Sequence, residues 1–374
     1  GIEVFRADSW DPFRLAYLLD GIRNRRSNAN AHGNAASATG GLGAKWLRHL
    51  RNHCYCPDDR SGWIDPAYRL ARKIISTQPP DAIYSTSFPH SSHVVALRLK
   101  KAFPDIPWLA DFRDAWTQNA DFFHSLSPRL QAKGVQLERE VAARADAIVS
   151  VSEPITNHFR KLQGDSEKPV VTVPNGFDEH DVEMAEAQQW DGFSVLYAGT
   201  IFGGRSAEPL FAAAAEARRI HSELARELKL VFVGKFDKNL TDLSQKYGLS
   251  DRLVMPGTLP YLKSLGAQKG ADVLVALVTD MPDVEVMLTQ KIFEYIATGR
   301  PVWALADSRS ACAKLVKTLG AGVVCDPANP SEGARGLIDL YEKVKQGQWT
   351  RVDRDALAPY SRRNQAERMA QILH

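Results

Sequence analysis

The chain has 374 residues, with 47 Lys and Arg against 44 Asp and Glu for a formal net charge of +3, and is 44% hydrophobic and 24% charged. That length allows two separate hydrophobic cores, and the composition excludes a disordered chain or a fibre. A charge this close to balance excludes a general nucleic-acid binder, which needs a concentrated basic face.

The first strand expected is residues 1–7, at the very start of the chain. Residues 23–43, rich in Asn, Ala, Ser, Gly and Arg, read as a long mobile connection. Helices are expected over 44–52 and 66–76, the second with Pro66 at its start. Basic residues accumulate here: Arg23, Arg25, Arg26, Lys45, Arg48, Arg51, Arg60, Arg69, Arg72 and Lys73. They read either as a solvated face or as a surface drawn to anionic lipid headgroups or an anionic acceptor. From Asp81 short apolar runs alternate with amphipathic stretches. Strands are expected at 82–85, 108–111, 147–151 and 170–173, and helices at 91–102, 126–145 and 154–162. That spacing predicts parallel βαβ units. Pro174 to Asp178 is a turn signal, and the acidic stretch to Trp190 reads as a linker. A second series follows, with strands at 194–198, 229–233, 253–255, 273–277, 302–306 and 322–324. Helices are expected at 208–224 and 240–247, and a closing helix at 361–373.

Four irregularly spaced cysteines, Cys54, Cys56, Cys312 and Cys325, form no disulfide framework and point to a reducing compartment. Cys54 and Cys56 lack the two-residue spacer of metal and redox pairs. No apolar run approaches the ~18 residues that span a bilayer, and no charged-then-apolar leader opens the chain. The expectation is a cytoplasmic protein, at most peripheral at the inner face of the membrane.

In an open parallel sheet, ligands bind beyond the carboxyl ends of the strands. Three stretches carry polar chemistry at such ends. Tyr197 to Arg205 runs from a strand into a loop bearing Gly199, Gly203 and Gly204 and ends on a cation. Glycines let the backbone approach a phosphate, and Arg205 can grip it with two hydrogen bonds; a plain turn with a surface arginine is the alternative. Leu288 to Val302 holds Lys291 and Glu294 three apart on a helix, with Ile292, Phe293, Ile296 and Ala297 on a buried face. The helix begins after an irregular loop, residues 279–287. Its N-terminal amides therefore favour an anion such as a diphosphate, leaving Glu294 to accept ribose hydroxyls. In the third stretch, Asp111 and Asp114 flank Arg113, either as a structural ion-pair knot or as a catalytic group. Ser87 and His90 add a hydroxyl and an imidazole to the same rim. His90 and His93 lack a third ligand at metal spacing.

These stretches resemble the retaining family 4 glycosyltransferases of the GT-B fold, over most of the chain from about Pro57. The likeness rests on Pro57-Asp58 through Trp63, Ser85 to His90, Asp111 to Trp116, the Asn175-Gly176-Phe177-Asp178 turn, Lys291 to Tyr295 and Gly299 to Val302. The first three of these stretches resemble a branch of that family found in bacterial polysaccharide assembly. The resemblance implies two doubly wound Rossmann-like domains facing each other across a cleft. They are an acceptor-side domain over 1–178 and a nucleotide-sugar domain over 179–356, followed by a closing helix over 357–374.

It further implies a donor site of Gly199, Gly204, Arg205, Lys235, Thr258, Leu259, Thr289, Gln290, Lys291 and Glu294. Glu294 would hold the ribose, Arg205 with Lys291 or Lys235 the diphosphate, and Gly257 to Tyr261 the base. Asp111, Arg113 and Asp114 would be catalytic, with Ser87 and His90 on the acceptor side. No metal or cofactor is expected. The partners expected are a nucleotide sugar, a glycan, lipid-linked or small hydroxyl acceptor, and an anionic membrane surface. Three departures stand out. Val286 occupies the place of a second donor-site glutamate, Phe211 that of a basic residue after Arg205, and the chain is expected to start beyond the family's opening strand and glycine-rich turn. A nucleotide-sugar epimerase and a non-catalytic binding subunit are the alternatives. A nicotinamide dehydrogenase is disfavoured because no Gly-x-Gly-x-x-Gly follows an expected strand.

Overall fold

The computed structural model describes residues 2–9, 55–119, 123, 125–201, 206–236, 239–278, 288 and 290–373. They group into two compact units, Gly1–Val173 with Ala370–His374, and Pro174–Met369.

In the first unit the elements are α1 (Ile64–Thr77), β1 (Ile83–Ser87), α2 (Ser91–Ala102), β2 (Trp108–Phe112), α3 (Pro128–Arg144), β3 (Ala147–Ser150), α4 (Glu153–Gln163) and β4 (Val170–Thr172). The strands form one parallel sheet in the order β1-β2-β3-β4. β2 and β3 are buried along their whole length, as inner strands covered on both faces must be. β1 alternates, with Tyr84 and Thr86 outward. The α2 helix starts where Asp58, fully buried, accepts both the N–H (2.8 Å) and the hydroxyl (2.7 Å) of Ser91. A carboxylate there satisfies orphan amides and complements the helix dipole. The strand expected over 1–7 does not form. Residues 2–9 are neither helix nor strand, Ile2, Val4 and Phe5 are exposed, and neither sheet pairs with them. An apolar run becomes a strand only where a neighbour completes its ladder. The expected helix over 44–52 and the connection over 23–43 lie outside the described residues.

The second unit opens with α5 (Glu179–Met184), a short helix where a linker was expected. Asp178 caps it, accepting the N–H groups of His180 and Asp181, the local bond that lets an acidic stretch coil. There follow β5 (Phe193–Ala198), α6 (Glu208–Ile220), α7 (Ser222–Glu227), β6 (Leu228–Val233), α8 (Asn239–Lys246), β7 (Leu253–Gly257), α9 (Tyr261–Gly270), β8 (Val273–Val278), α10 (Gln290–Ala297), β9 (Val302–Ala306), α11 (Ala311–Thr318), β10 (Gly322–Cys325), α12 (Pro330–Lys345), α13 (Arg354–Leu357) and α14 (Arg362–Leu373). The single helix expected over 208–224 is broken at His221, whose extended backbone and Nδ1, accepting the Leu224 N–H at 3.1 Å, start α7 afresh.

The sheet is parallel, in the order β10-β9-β8-β5-β6-β7. Counted from β5 this is the 3-2-1-4-5-6 order of dinucleotide-binding folds, with its topological switch between β5 and β8. β5 alternates between two cores. Phe193, Val195 and Tyr197 pack on one side with Phe211 of α6 and Leu337 of α12, and Leu196 and Ala198 on the other with Ile292 and Phe293 of α10. At the switch the sheet opens. β5 and β8 pair at Val195↔Val273 and Leu196↔Leu274 and no further, while β5 stays with β6 to Ala198↔Val233 and β8 with β9 to Val278↔Ala306. The Asn175-Gly176 turn lies against the closing segment: Phe177 N donates to Tyr360 O at 3.1 Å, and a Cβ on Gly176 would meet that same carbonyl at 2.0 Å.

Candidate functional site

Beside the opening between β5 and β8, glycines end β5 and the two strands beyond it, β6 and β7. Gly199, Gly234 and Gly257 have φ of +135°, +144° and +82°, values that L side chains rarely adopt. Gly199 N donates to Val233 O at 2.7 Å and Gly234 N to Gly257 O at 2.9 Å, while a Cβ on Gly234 would meet Gly199 O at 1.9 Å. The three strand ends form a ledge without side chains. On it lies the ammonium of Lys291, so close that a Cβ on Gly199 would sit 1.7 Å from Nζ. The same ammonium is 5.3 Å from the centre of the Tyr197 ring, a cation–π geometry. Lys235, next after Gly234, is exposed, as is Thr258, while Leu259 is half-buried against the core.

Tyr295 explains why α10 holds this register. Its hydroxyl accepts from Ala198 N at 2.9 Å and donates to Ala198 O at 3.3 Å, supplying the partners that β8 no longer offers. The side chain is fully buried, and burial pushes its phenol far up, so it stays protonated and can do both. Ile292, Phe293 and Ile296 are buried as expected and Ala297 is half-buried, but Glu294, expected on a different face with Lys291, is itself buried at 8%. Its Oε1 accepts from Gln290 Nε2 at 3.1 Å and Tyr261 Oη at 3.4 Å. Burial raises the Glu294 carboxyl above the ordinary range, opposed by those hydrogen bonds and by the charges of Lys291 and Arg362. Such a carboxylate is a strong acceptor for hydroxyls. Past α10, Gly299 at φ +75° ends the helix, and Trp349 Nε1 donates to its carbonyl at 3.0 Å. Gly204, Arg205, Thr289 and Val286 lie outside the described residues.

In the first unit Ser87, His90, Asp111, Arg113 and Asp114 come together at the ends of β1 and β2. Asp111, 1% exposed, accepts from Tyr84 Oη at 2.5 Å, from Thr86 Oγ1 at 3.3 Å, and from Arg113 Nε at 2.8 Å. Arg113 also donates to Val173 O at 2.8 Å. Asp114 is exposed and accepts the Phe88 N–H; its crowded surroundings raise its carboxyl. His90 is 3% exposed and stacks on Trp116, ring centres 4.9 Å apart. Burial pushes its imidazole down to about 3, so it is neutral. His93 is neutral for the same reason and meets Ser85 Oγ at 2.8 Å through Nδ1. The far end of the loop is fixed by Glu138, which accepts from Thr117 N (3.2 Å), Thr117 Oγ1 (2.5 Å) and His158 Nε2 (3.0 Å). Sequence reasoning gave no role to Asp58, Tyr84, Glu138 or Tyr295, although Asp58 and Tyr295 fell in stretches that carry the resemblance, and it placed Tyr261 only at the end of the base-holding stretch, not against Glu294. The signal for Tyr261 was its position four residues after a strand-end glycine; the others had none short of tertiary structure.

A polar groove of about 470 Å³ lies elsewhere in the second unit, past β9 and β10, lined by residues including Asp307, Arg309, Lys317 and Glu332. Asp307 and Arg309, two residues apart, pair with each other in its lining (2.6 Å), and it is off the switch point, so the Gly199 ledge and not this groove is the candidate site.

A parallel four-stranded sheet followed by a 3-2-1-4-5-6 sheet with its polar ledge at the switch defines the GT-B class of two Rossmann-like domains. Residues 36–176 match the family model described as Glycosyl transferase 4-like domain. Similar solved structures include Anabaena HepE in complex with UDP (16% identity, 83% of this chain and 82% of that one, TM-score 0.62). Sucrose-phosphate synthase from Thermosynechococcus elongatus matches at 18% identity over 85% of this chain and 79% of that one, TM-score 0.62. The lipopolysaccharide outer core galactosyltransferase WaaB matches at 14% over 83% and 79%, TM-score 0.54. No curated protein matches by sequence. The resemblance to the family 4 glycosyltransferases is thus supported by the match of residues 36–176 to the family model and by a fold match over 83–85% of the chain.

Proposed function

We propose that the protein transfers a sugar from a nucleoside diphosphate sugar to a hydroxyl acceptor, with retention at the anomeric carbon and without a metal ion. The observation that carries this reading is the Lys291 ammonium seated on Gly199 at the opening between β5 and β8, with the Glu294 carboxylate one helical turn further along α10. An ammonium beside a helix N-terminus stabilises the charge that a leaving diphosphate gains as the glycosidic bond breaks. Arg205 and Lys235 would add to that field, and Glu294 would accept pentose hydroxyls. The HepE relative is also solved with UDP-glucose, and another, from E. coli, is bound with UDP-2-fluoro glucose, which makes a uridine donor the first to try.

The loop after β2 would serve the reacting groups. Asp111 and Arg113 are engaged with each other, so their part is to hold the loop, and the exposed Asp114 is the carboxylate that substrate can reach. Ser87 and His90 belong to the acceptor side in this reading. Cell-surface polysaccharide or glycolipid assembly at the inner face of the membrane is supported by Arg69, Arg72 and Lys73, exposed on one face of α1. No described helix is long and apolar enough to cross a membrane.

Calorimetry with UDP, GDP and ADP tests the reading: one should bind to the wild type, and Glu294→Ala should weaken it at least about 100-fold. Incubation with the matching sugar nucleotide alone should yield at most slow hydrolysis. A changed sugar on an intact nucleotide would instead indicate an epimerase. Wild-type protein that binds none of the three contradicts the proposal.

A further inference from the structure

The two oxygens of Glu294 have unlike surroundings. Oε1 takes hydrogen bonds from Gln290 and Tyr261, whereas Oε2 has no partner among the described residues. The two donors come from different elements. Gln290 is the first residue of α10, one turn before Glu294, and Tyr261 is the first residue of α9. One donor along the helix and one across from it restrain a carboxylate in both senses, which a single bond cannot do. Burial and the negative charge of Glu294 push the Tyr261 phenol up to about 12, helped by Asp181 and Asp178, so its hydroxyl is a fixed donor at any working pH. The residue is 49% exposed, so its hydroxyl adds little to the core and its removal opens no cavity.

We propose that Tyr261 is a positioning residue of the nucleotide-sugar site, its hydroxyl holding Oε1 of Glu294 so that Oε2 alone is presented to a pentose hydroxyl of the donor. This rests on the reading of the site given above. Besides Tyr261, the charged groups facing Glu294 among the described residues are Lys291 on its own helix and Arg362 on α14. Both remain in Tyr261→Phe, so that variant isolates the phenol.

The test is calorimetry of the full chain with UDP, or with whichever of GDP and ADP the wild type binds, from pH 5 to 8. Tyr261→Phe should bind about tenfold more weakly, the size of one hydrogen bond to a charged group. Its affinity should also fall away on the acid side at a higher pH than the wild type's, because one of the bonds favouring the ionised carboxylate is gone. The melting temperature should be unchanged, separating positioning from folding. Equal affinity and an unmoved acid limb in Tyr261→Phe, with binding still lost in Glu294→Ala, overturn the role of Tyr261 while leaving the site in place. Wild-type protein that binds no nucleotide overturns the site and this role with it.

Discussion

At the end of β2, Asp111 has both oxygens engaged by Tyr84, Thr86 and Arg113, and the neighbouring imidazoles of His90 and His93 are buried and neutral. At the end of β5 the chain turns at Gly199, against which the Lys291 ammonium lies, and glycines also end the neighbouring β6 and β7. Both places are strand ends of a parallel sheet, but the first is filled with polar side chains that fix a loop, and the second is built of glycine, with the half-buried Lys291 ammonium lying against Gly199. A carboxylate held by three side chains is a strut, while an ammonium against bare backbone beside a helix N-terminus is where the proposed diphosphate would lie. Residue type alone, two aspartates and an arginine in one case and a lysine and glutamate in the other, does not separate the two.

The largest effect that can break this comparison is Asp111→Ala. It leaves a half-buried guanidinium and the Tyr84 hydroxyl without their acceptor and should cost about 3–5 kcal/mol in denaturant unfolding. Nucleotide affinity of the remaining folded protein should be within about twofold of wild type. A large loss of affinity at unchanged stability would mean that Asp111 is more than a strut.

Gly199→Ala should cost about 1–2 kcal/mol for a side chain at φ +135°. It must also displace Lys291, so nucleotide binding should weaken about tenfold or more, growing less sensitive to salt as the cation leaves. Wild-type affinity in that variant would show that the ledge has no part in binding. Tyr295→Phe removes the group that satisfies Ala198 N and O, with an expected cost of about 1–3 kcal/mol.

The last effect is the pH dependence of stability, and its sign follows from the neutral histidines. His90 and His93 titrate below their unfolded value of ~6.5, His90 at about 3. Between those limits the unfolded chain binds more protons, so their contribution is fully present above pH ~6.5 and is lost as pH falls toward 3. Asp58 and Glu294, raised by burial, act in the opposite sense over the carboxylate range. Urea titrations at pH 7.5 and 5.5 should show the lower stability at 5.5; equal or higher stability there contradicts the neutral assignment.

Much of this was legible before any coordinates. Apolar runs of four to six residues separated by amphipathic stretches defined the strands, and the α2 boundaries came out as expected, because periodicity is a local signal. His221 ended a helix early because a side chain accepted a backbone amide, a choice that hydrophobic pattern does not encode. The run at residues 1–7 looked like a strand because apolar content says nothing of an available partner. In the candidate site, Gly199, Lys291 and Glu294 were readable from their place after a strand and at a helix start. The burial of Glu294, the Tyr295 clamp and the Tyr261 hydroxyl were not, since each depends on where β5 and β8 part or on how α9 meets α10.

The most direct measurement is a structure of the protein with bound UDP. The account predicts the diphosphate against Lys291 Nζ beside Gly199 and the pentose hydroxyls at Oε2 of Glu294. A nucleotide bound instead in the groove of Asp307, Arg309 and Lys317, with the ledge unoccupied, would contradict it.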